Sequence, residues 1–336
     1  PRLIAGDPPD TFQLHAGLEV EGYSPEQYLE PLDEIYASEG LEKAFPADLL
    51  TLLKYKDHYW GVPVNIHRSN VLWYDKSIFA DAGLTPPVTW DEFWAVADAL
   101  KAKGIVPLAM GTSGGWEAGH VFEDVLAGTC GAEKYAGLWT GAVQWTDACV
   151  TQALENFKRM LTYVNSDHPA LSWDGAGHYL IDNKGAMMIM GDWTNGWFQS
   201  MKYTDYGWAP SPGTKGIFVG LSDSFSLPKK APNRDNAVAW LKVCGSKAGQ
   251  EAFNPKKGSI CARTDCDPAL FNEYLQSAMQ DWQKDAIVPS VIHGAAAIES
   301  WVTDFKDAIT LFVTSGDVAG TQTALQAACV DAGVCK

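Results

Sequence analysis

GDPPDTFQLHAG, residues Gly6 to Gly17, reads as a turn that climbs onto a short strand. Pro8 and Pro9 hold the backbone extended and cannot continue a helix. Beyond them Phe12 and Leu14 fall on one face of an alternating segment and Gln13 and His15 on the other. If the apolar face meets a core, Gln13 and His15 point together at a cleft. From the alternation alone, the plainer reading is a strand whose polar face meets solvent. Gly17 then permits a sharp turn or a close approach to the chain.

Working outward, Tyr55 to Val64 reads as a hairpin, and Val62 to Tyr74 (VPVNIHRSNVLWY) is strand-rich but interrupted by polar residues from Asn65 to Ser69. A second interrupted strand, Phe218 to Leu227, carries Ser222-Asp223-Ser224 at its middle. Polar breaks of this kind suit chain crossings between two lobes. Thr89-Trp90-Asp91-Glu92 is a capping box that opens an amphipathic helix to about Lys103. A loop from Gly111 to Trp116 leads into a helix through Glu123, and AMMIM (Ala186 to Met190) is an apolar strand ending at Gly191-Asp192-Trp193. Alternation of strands and helices predicts α/β layers with parallel sheets. Asn254 to Asp265 reads as an irregular link, and Ile287 to Ala297 as an apolar loop containing His293.

The chain has 336 residues, 46% of them hydrophobic, enough for two cores. No apolar run reaches the roughly 18 residues that span a bilayer. A net charge of −16 argues against nucleic acid and anionic membrane surfaces. Fourteen tryptophans suit either an aromatic core or a site for ligands that are half apolar and half hydroxyl. The seven cysteines form no CxxC pair and lack histidine partners at zinc spacing, which favours disulfides in an oxidising compartment. Proximity suggests Cys130 with Cys149 and Cys329 with Cys335.

A polyol loses water from each hydroxyl when it binds, and an unpaired one costs about 1–3 kcal/mol, so its site needs planar donors and acceptors beside an aromatic face. Candidates at loops and strand ends are Gln13, His15, Asn65, His67, Trp116, Trp173, Asp192, Trp193, Asp223, Lys257 and His293. Each singly also suits a cap, a core aromatic or a surface charge. A hydrolase would need two paired carboxylates, and the spacing of Glu117, Glu123, Asp192 and Asp223 pairs none of them. There is no GxSxG elbow, phosphate loop or HExxH motif, and the scattered histidines give no metal-ligand spacing. Neither a cofactor nor a metal is expected.

Several stretches taken in order resemble the extracytoplasmic sugar-binding proteins of ABC-type uptake systems, and within them the glucose- and galactose-binding members. They are GDPPDTFQLHAG, VPVNIHRSNVLWY, TWDEFWAVADALK, AMMIMGDWTNGWF, DSFSLP, KKAPNRDNAVAWLK, FNPKKGSICARTD and VIHGAAA. The resemblance implies an α/β, two-lobe fold of the type II periplasmic-binding-protein kind, with hinge strands joining the lobes and a sugar site in the cleft between them. It places residues 1–67 and 222–262 in the N-terminal lobe and 68–221 and 263–336 in the C-terminal lobe, with crossings near Asn65 to Arg68, Leu221 to Asp223 and Ile260 to Asp267.

The implied function is to bind one monosaccharide, glucose or else galactose or mannose, and to deliver it by lobe closure to the membrane permease subunits. Gln13 and His15 would hydrogen-bond the sugar, Trp173 and Trp193 would stack on it, Asp223 would accept from its hydroxyls, and Lys257 and His293 would complete the ring. Trp116 and His67 match as further ligands. The resemblance also implies a monomer outside the cytoplasm, with no membrane insertion. Family members carry a strand-helix unit before GDPPD, and its absence here predicts an incomplete first lobe. Cys261 stands where the family has proline. The competing readings are a carbohydrate hydrolase using Asp192 and Asp223, and a non-binding scaffold of the same fold.

Overall fold

A computed structural model describes residues 2–336 and divides the chain into two compact units. The first comprises the chain up to His67 together with Gly220–Gln280 and His293–Glu299; the second comprises Arg68–Val219, Asp281–Ile292 and Ser300–Lys336. Residues 263–280 and 293–299, read from sequence as part of the second lobe, thus group with the first. Local bonds explain it: the Thr264 N–H donates to the Ala44 carbonyl at 2.9 Å, and the Glu19 N–H to the Gly294 carbonyl at 3.0 Å.

In the first unit, the strand Phe12–His15 pairs antiparallel with Asp223–Ser226, which pairs in turn with Val62–Pro63. The register sets His15 opposite Asp223 and Gln13 opposite Phe225. The alternation read from the sequence holds: Leu14 is buried with Val20, Leu29 and Trp60, while Gln13 is exposed and His15 half-buried. Gly17 has φ +129°, and a Cβ there would lie 2.5 Å from the Ala295 Cα, so it is the neighbouring backbone that demands glycine at this turn.

The link expected from Asn254 to Asp265 is partly helical. The helix Lys247–Lys257 runs through Pro255, starts at a Ser246 cap and stops at Gly258, whose φ is +89°. Pro255 leaves the Glu251 carbonyl without its i→i−4 donor, and the helix ends two residues later. One turn apart on this helix, Gln250 and Asn254 donate side-chain N–H groups to the carbonyls of Pro63 at 2.9 Å and Val64 at 3.0 Å. Lys257 is thereby carried to the segment that holds Asn65 and His67.

In the second unit, a four-stranded sheet has the order Val106–Leu108, Gly185–Ile189, Val71–Asp75, Tyr206–Pro210. Parallel sheets were expected, but only the first of these pairs is parallel; Val71–Asp75 is antiparallel to both of its neighbours. Strand-helix alternation does not reveal which strands meet, and the partners of Val71–Asp75 come from far downstream. The expected helix ending at Glu123 instead continues as Glu117–Thr140 with a break at Gly131. Ala148–Met160 packs along it, and Phe122 meets Phe157 and Phe305 with ring centroids 5.5 and 6.0 Å apart. The loop expected at 287–297 begins as the strand Ala286–Pro289.

Disulfides join Cys130 to Cys149 and Cys329 to Cys335, as proximity suggested, and Cys261 to Cys266. The leftover thiol is the buried Cys244. No helix among the described residues is long and apolar enough to cross a membrane.

The capping box at Thr89 forms in full: its hydroxyl accepts the Glu92 N–H at 3.3 Å, and the Glu92 carboxylate accepts the Thr89 N–H at 2.9 Å. Thr89→Ala should therefore cost about 1 kcal/mol of stability, read as a lower urea midpoint at unchanged slope. An unchanged midpoint would show that the box contributes nothing.

Candidate functional site

The polar candidates of the first unit gather around one carboxylate. Asp223 is 6% exposed. Its Oδ1 accepts from Gln13 Nε2 at 2.9 Å, and its Oδ2 accepts from Asn65 Nδ2 at 2.8 Å. Asn65 closes the pair, since its Oδ1 accepts the Asp223 N–H at 2.8 Å. His15 Nε2 lies 3.6 Å from Oδ1, and His67 Nε2 lies 3.4 Å from Oδ2. An ionised carboxylate has about four lone-pair sites, and four side chains already converge on this one. Gln13 and Asn65 thus take one lone pair on each oxygen of Asp223, and the two imidazoles stand beside it at 3.4 and 3.6 Å.

His15 is held from its other side as well. Its Nδ1 is 2.5 Å from Glu19 Oε2, an oxygen that also accepts the His15 backbone N–H at 3.2 Å. His293 stands edge-on to the His15 ring with centroids 5.8 Å apart. Burial disfavours a charge on His15, but the hydrogen bond and charge of Glu19, with the charge of Asp223, outweigh it and raise the imidazole's pKa. For Asp223, burial pushes the carboxyl up, and the His67 bond with the charges of His67, Lys257 and His15 more than reverses this. Asp223 is left well below the usual carboxylate range and fully ionised at neutral pH.

The aromatic candidates lie in the second unit. Trp193 opens the helix Trp193–Ser200 directly after the strand Gly185–Ile189. A Cβ at Gly191 would fall 2.2 Å from Trp193 Cζ3, so the indole can lie over this backbone only because residue 191 is glycine. Trp116 is 6.2 Å from Trp193 between ring centroids, and His120 completes the group at 5.8 Å from Trp116 and 5.5 Å from Trp193. Burial lowers the His120 pKa to about 3, so its imidazole is neutral and acts as a third ring. Trp173 stands apart from these rings, edge-on to Trp197 at 5.7 Å.

The carboxylates of this unit have internal partners. Asp192 Oδ2 accepts the Arg68 backbone N–H at 2.9 Å. Glu123 accepts the hydroxyls of Ser69 and Ser290, each at 2.7 Å, and the N–H groups of Val291 at 2.8 Å and Ile292 at 3.2 Å. Such groups brace loops and are not set across a scissile bond.

Of the nine residues named from sequence as ligands, the first unit brings Gln13, His15, His67 and Asp223 together directly, with Lys257 near enough to act on Asp223 through its charge and His293 against His15. The second unit brings together Trp116 and Trp193. Sequence reasoning missed Glu19 and His120. Each lies four residues beyond a chosen one, Glu19 after His15 and His120 after Trp116, but only the second pair stands at the start of one helix, where that spacing was an available signal.

Residues 1–251 match the family profile described as bacterial extracellular solute-binding protein. The chain belongs to that family. Its relatives include an uncharacterised ABC transporter extracellular-binding protein of Pyrococcus horikoshii, 36% identical over 323 residues, covering 94% of this chain and 73% of the relative. A xylose/arabinose-binding protein of Haloferax volcanii is 30% identical over 338 residues, covering 97% and 73%. Among solved structures, a bacterial solute receptor described as preferring β-D-galactopyranose superposes with TM-score 0.89 at 21% identity, covering 98% of this chain and 86% of the receptor. The two-lobe α/β fold is thereby shown, and this solute-binding protein groups with receptors and not with enzymes, against the hydrolase reading.

His15 and Asp223 give opposite pH dependences. His15 titrates higher when folded than its unfolded value of about 6.5, so its contribution is complete below that pH and is lost as pH rises through the folded value. Asp223 titrates lower when folded than about 3.9, so its contribution is complete above that pH and is lost as pH falls. The stability advantage of wild type over His15→Gln should thus be greatest near about pH 5 to 6 and shrink toward about pH 9. Parallel denaturation curves for the two proteins across that range would refute the assignment.

Proposed function

We propose that this solute-binding protein is the monosaccharide receptor of an ABC-type sugar importer, working outside the cytoplasm and handing its ligand to membrane permease subunits. The observation that carries this reading is the donor cluster on Asp223. Gln13, Asn65, His15 and His67 are oriented by one buried anion, and a polyol losing its hydration requires such fixed polar groups. Lys257 supplies a cation beside them. The rings of Trp116 and Trp193 supply apolar faces for the CH side of a sugar, and Trp173 is a further face.

Gln13, His15, His67, Lys257 and His293 contact hydroxyls, and Asp223 acts chiefly by orienting them. Glucose is the ligand we favour, with galactose or mannose next. The name of the Haloferax volcanii relative, a xylose/arabinose-binding protein, supports an aldose and puts pentoses on the same panel. The receptor works as a monomer.

Titration with glucose, galactose, mannose, xylose and arabinose, followed by tryptophan emission, should give saturable binding for at least one. That sugar should raise the melting temperature, as any ligand selective for the native state must. Lys257→Ala should weaken binding about tenfold or more, the loss of a charged hydrogen bond. No emission change and no thermal shift with any of the five would overturn the proposal and favour the scaffold reading.

A further inference from the structure

The aspartate before Trp193 breaks a rule of helix starts. Asp192 stands at the N-cap position of the helix Trp193–Ser200, where an aspartate ordinarily turns its carboxylate back onto the N–H groups of the first turn. Asp75 does this for the helix Lys76–Ala82, accepting the Ile78 N–H at 2.8 Å. Asp192 makes no such cap bond, although it is fully buried. Forgoing the cap gives up stability, and a local rule broken without local gain marks a residue whose role lies elsewhere.

The carboxylate is turned instead to the backbone of Arg68. The strand Gly185–Ile189 pairs antiparallel with Val71–Asp75, with Leu72 opposite Ile189. The pairing runs one step further, as the Met190 N–H donates to the Val71 carbonyl at 3.1 Å. There the ladder slips: the Asp192 N–H donates to the Arg68 carbonyl at 2.9 Å, which leaves Ser69 and Asn70 facing the single residue Gly191. A regular antiparallel pair would return the Arg68 N–H to the Asp192 carbonyl. That carbonyl already accepts the Asn195 N–H at 2.9 Å, at the start of the helix. The side chain takes its place, with Oδ2 accepting the Arg68 N–H at 2.9 Å. Asp192 thus closes the end of the strand pairing with its carboxylate and opens a helix with its backbone.

Arg68 is a firm anchor. Its guanidinium donates to Asp281 Oδ2 at 2.7 Å, to the Ile217 carbonyl at 3.1 Å and to Asn70 Oδ1 at 3.2 Å. On the other side of Asp192, the Trp193 ring lies against the backbone at Gly191, where a Cβ would fall 2.2 Å from Cζ3 and 2.3 Å from Cη2. The place of the indole is therefore set by the course of the chain from 191 to 193. That course is tied down at 192 by the two bonds to Arg68.

We propose that Asp192 is a positioning residue for sugar binding: by closing its carboxylate on the Arg68 N–H it fixes the backbone that carries Trp193, and so holds that indole ready as an apolar face. This rests on the sugar-receptor reading, in which Trp193 is a stacking ring, and gives Asp192 itself no contact with the sugar. A ring already held in its bound orientation loses less freedom when the ligand arrives, so the effect falls on affinity.

Asp192→Ala removes the carboxylate, and Asp192→Ser leaves a polar side chain one atom shorter. Calorimetry with whichever of the five sugars wild type binds most tightly should show each variant raising the dissociation constant about threefold to tenfold, the penalty for ordering one large side chain on binding. Each should also alter the near-ultraviolet circular dichroism of the ligand-free protein. Asp192→Asn, whose carboxamide oxygen can accept the same N–H, should restore most of both. In a Trp193→Ala background, Asp192→Ala should change neither affinity nor spectrum further, because the ring it positions is gone. The proposal fails if the alanine or serine variant folds and keeps wild-type affinity and spectrum, whatever happens to the melting temperature. It fails equally if Asp192→Ala weakens binding by the same factor with and without Trp193, or if a folded Asp192→Asn binds no better than the alanine variant. If wild type binds no sugar, the receptor reading fails instead, and the ligand-free spectra with and without Trp193 still decide whether Asp192 positions the ring.

Discussion

One buried anion organises the polar half of this protein. Asp223 sits on a strand whose register places it directly opposite His15, and the same strand pairs with Val62–Pro63, from which the chain continues to Asn65 and His67. Gln13, Asn65, His15 and His67 thus reach Asp223 from two separate segments because the sheet brings both to one place. Burying a carboxylate is costly unless donors surround it. The donors in turn lose rotamer freedom to that carboxylate, so the same arrangement that satisfies the charge fixes the side chains a hydroxylated ligand would meet.

The aromatic half obeys a different constraint. Rings carry little directional information, so their placement is set by the backbone beneath them. Glycine at 191 allows Trp193 to lie flat over the chain, and the helical spacing of Trp116 and His120 puts a neutral imidazole beside both indoles. Burial keeps His120 uncharged. A charged ring there would have carried water and competing polarity into an apolar surface.

What the sequence revealed follows from which interactions are local. The alternation of Phe12, Gln13, Leu14 and His15 has a period of two and needed no partner to be read. The Thr89–Glu92 box closes within four residues, and the Cys329–Cys335 bridge within seven. Glu19 was invisible as a partner of His15 because helix spacing means nothing until a helix follows the strand, here the short Glu19–Gly22. The antiparallel partners of Val71–Asp75 were hidden because pairing across long separations leaves no mark on either segment. Pro255 misdirected the reading of Asn254 to Asp265, since a proline in the last turn of a helix looks the same as one that prevents it.

Asp223 also shows why residue identity and residue role separate. A motif places an aspartate at a site and suggests an acceptor for ligand hydroxyls. Geometry counts the lone pairs, and here Gln13 and Asn65 hold one oxygen each at hydrogen-bond distance while two imidazoles stand within 3.6 Å. Besides the lone pairs left on Asp223, capacity remains on the Gln13 carbonyl, whose amide N–H faces inward, and on the cation of Lys257. In the proposed receptor, discrimination among sugars would depend on how firmly Asp223 holds Gln13 and Glu19 holds His15, because a hydroxyl of the wrong orientation is rejected only by groups that cannot turn to meet it. The ionised carboxylate of Asp223 is what holds the Gln13 amide.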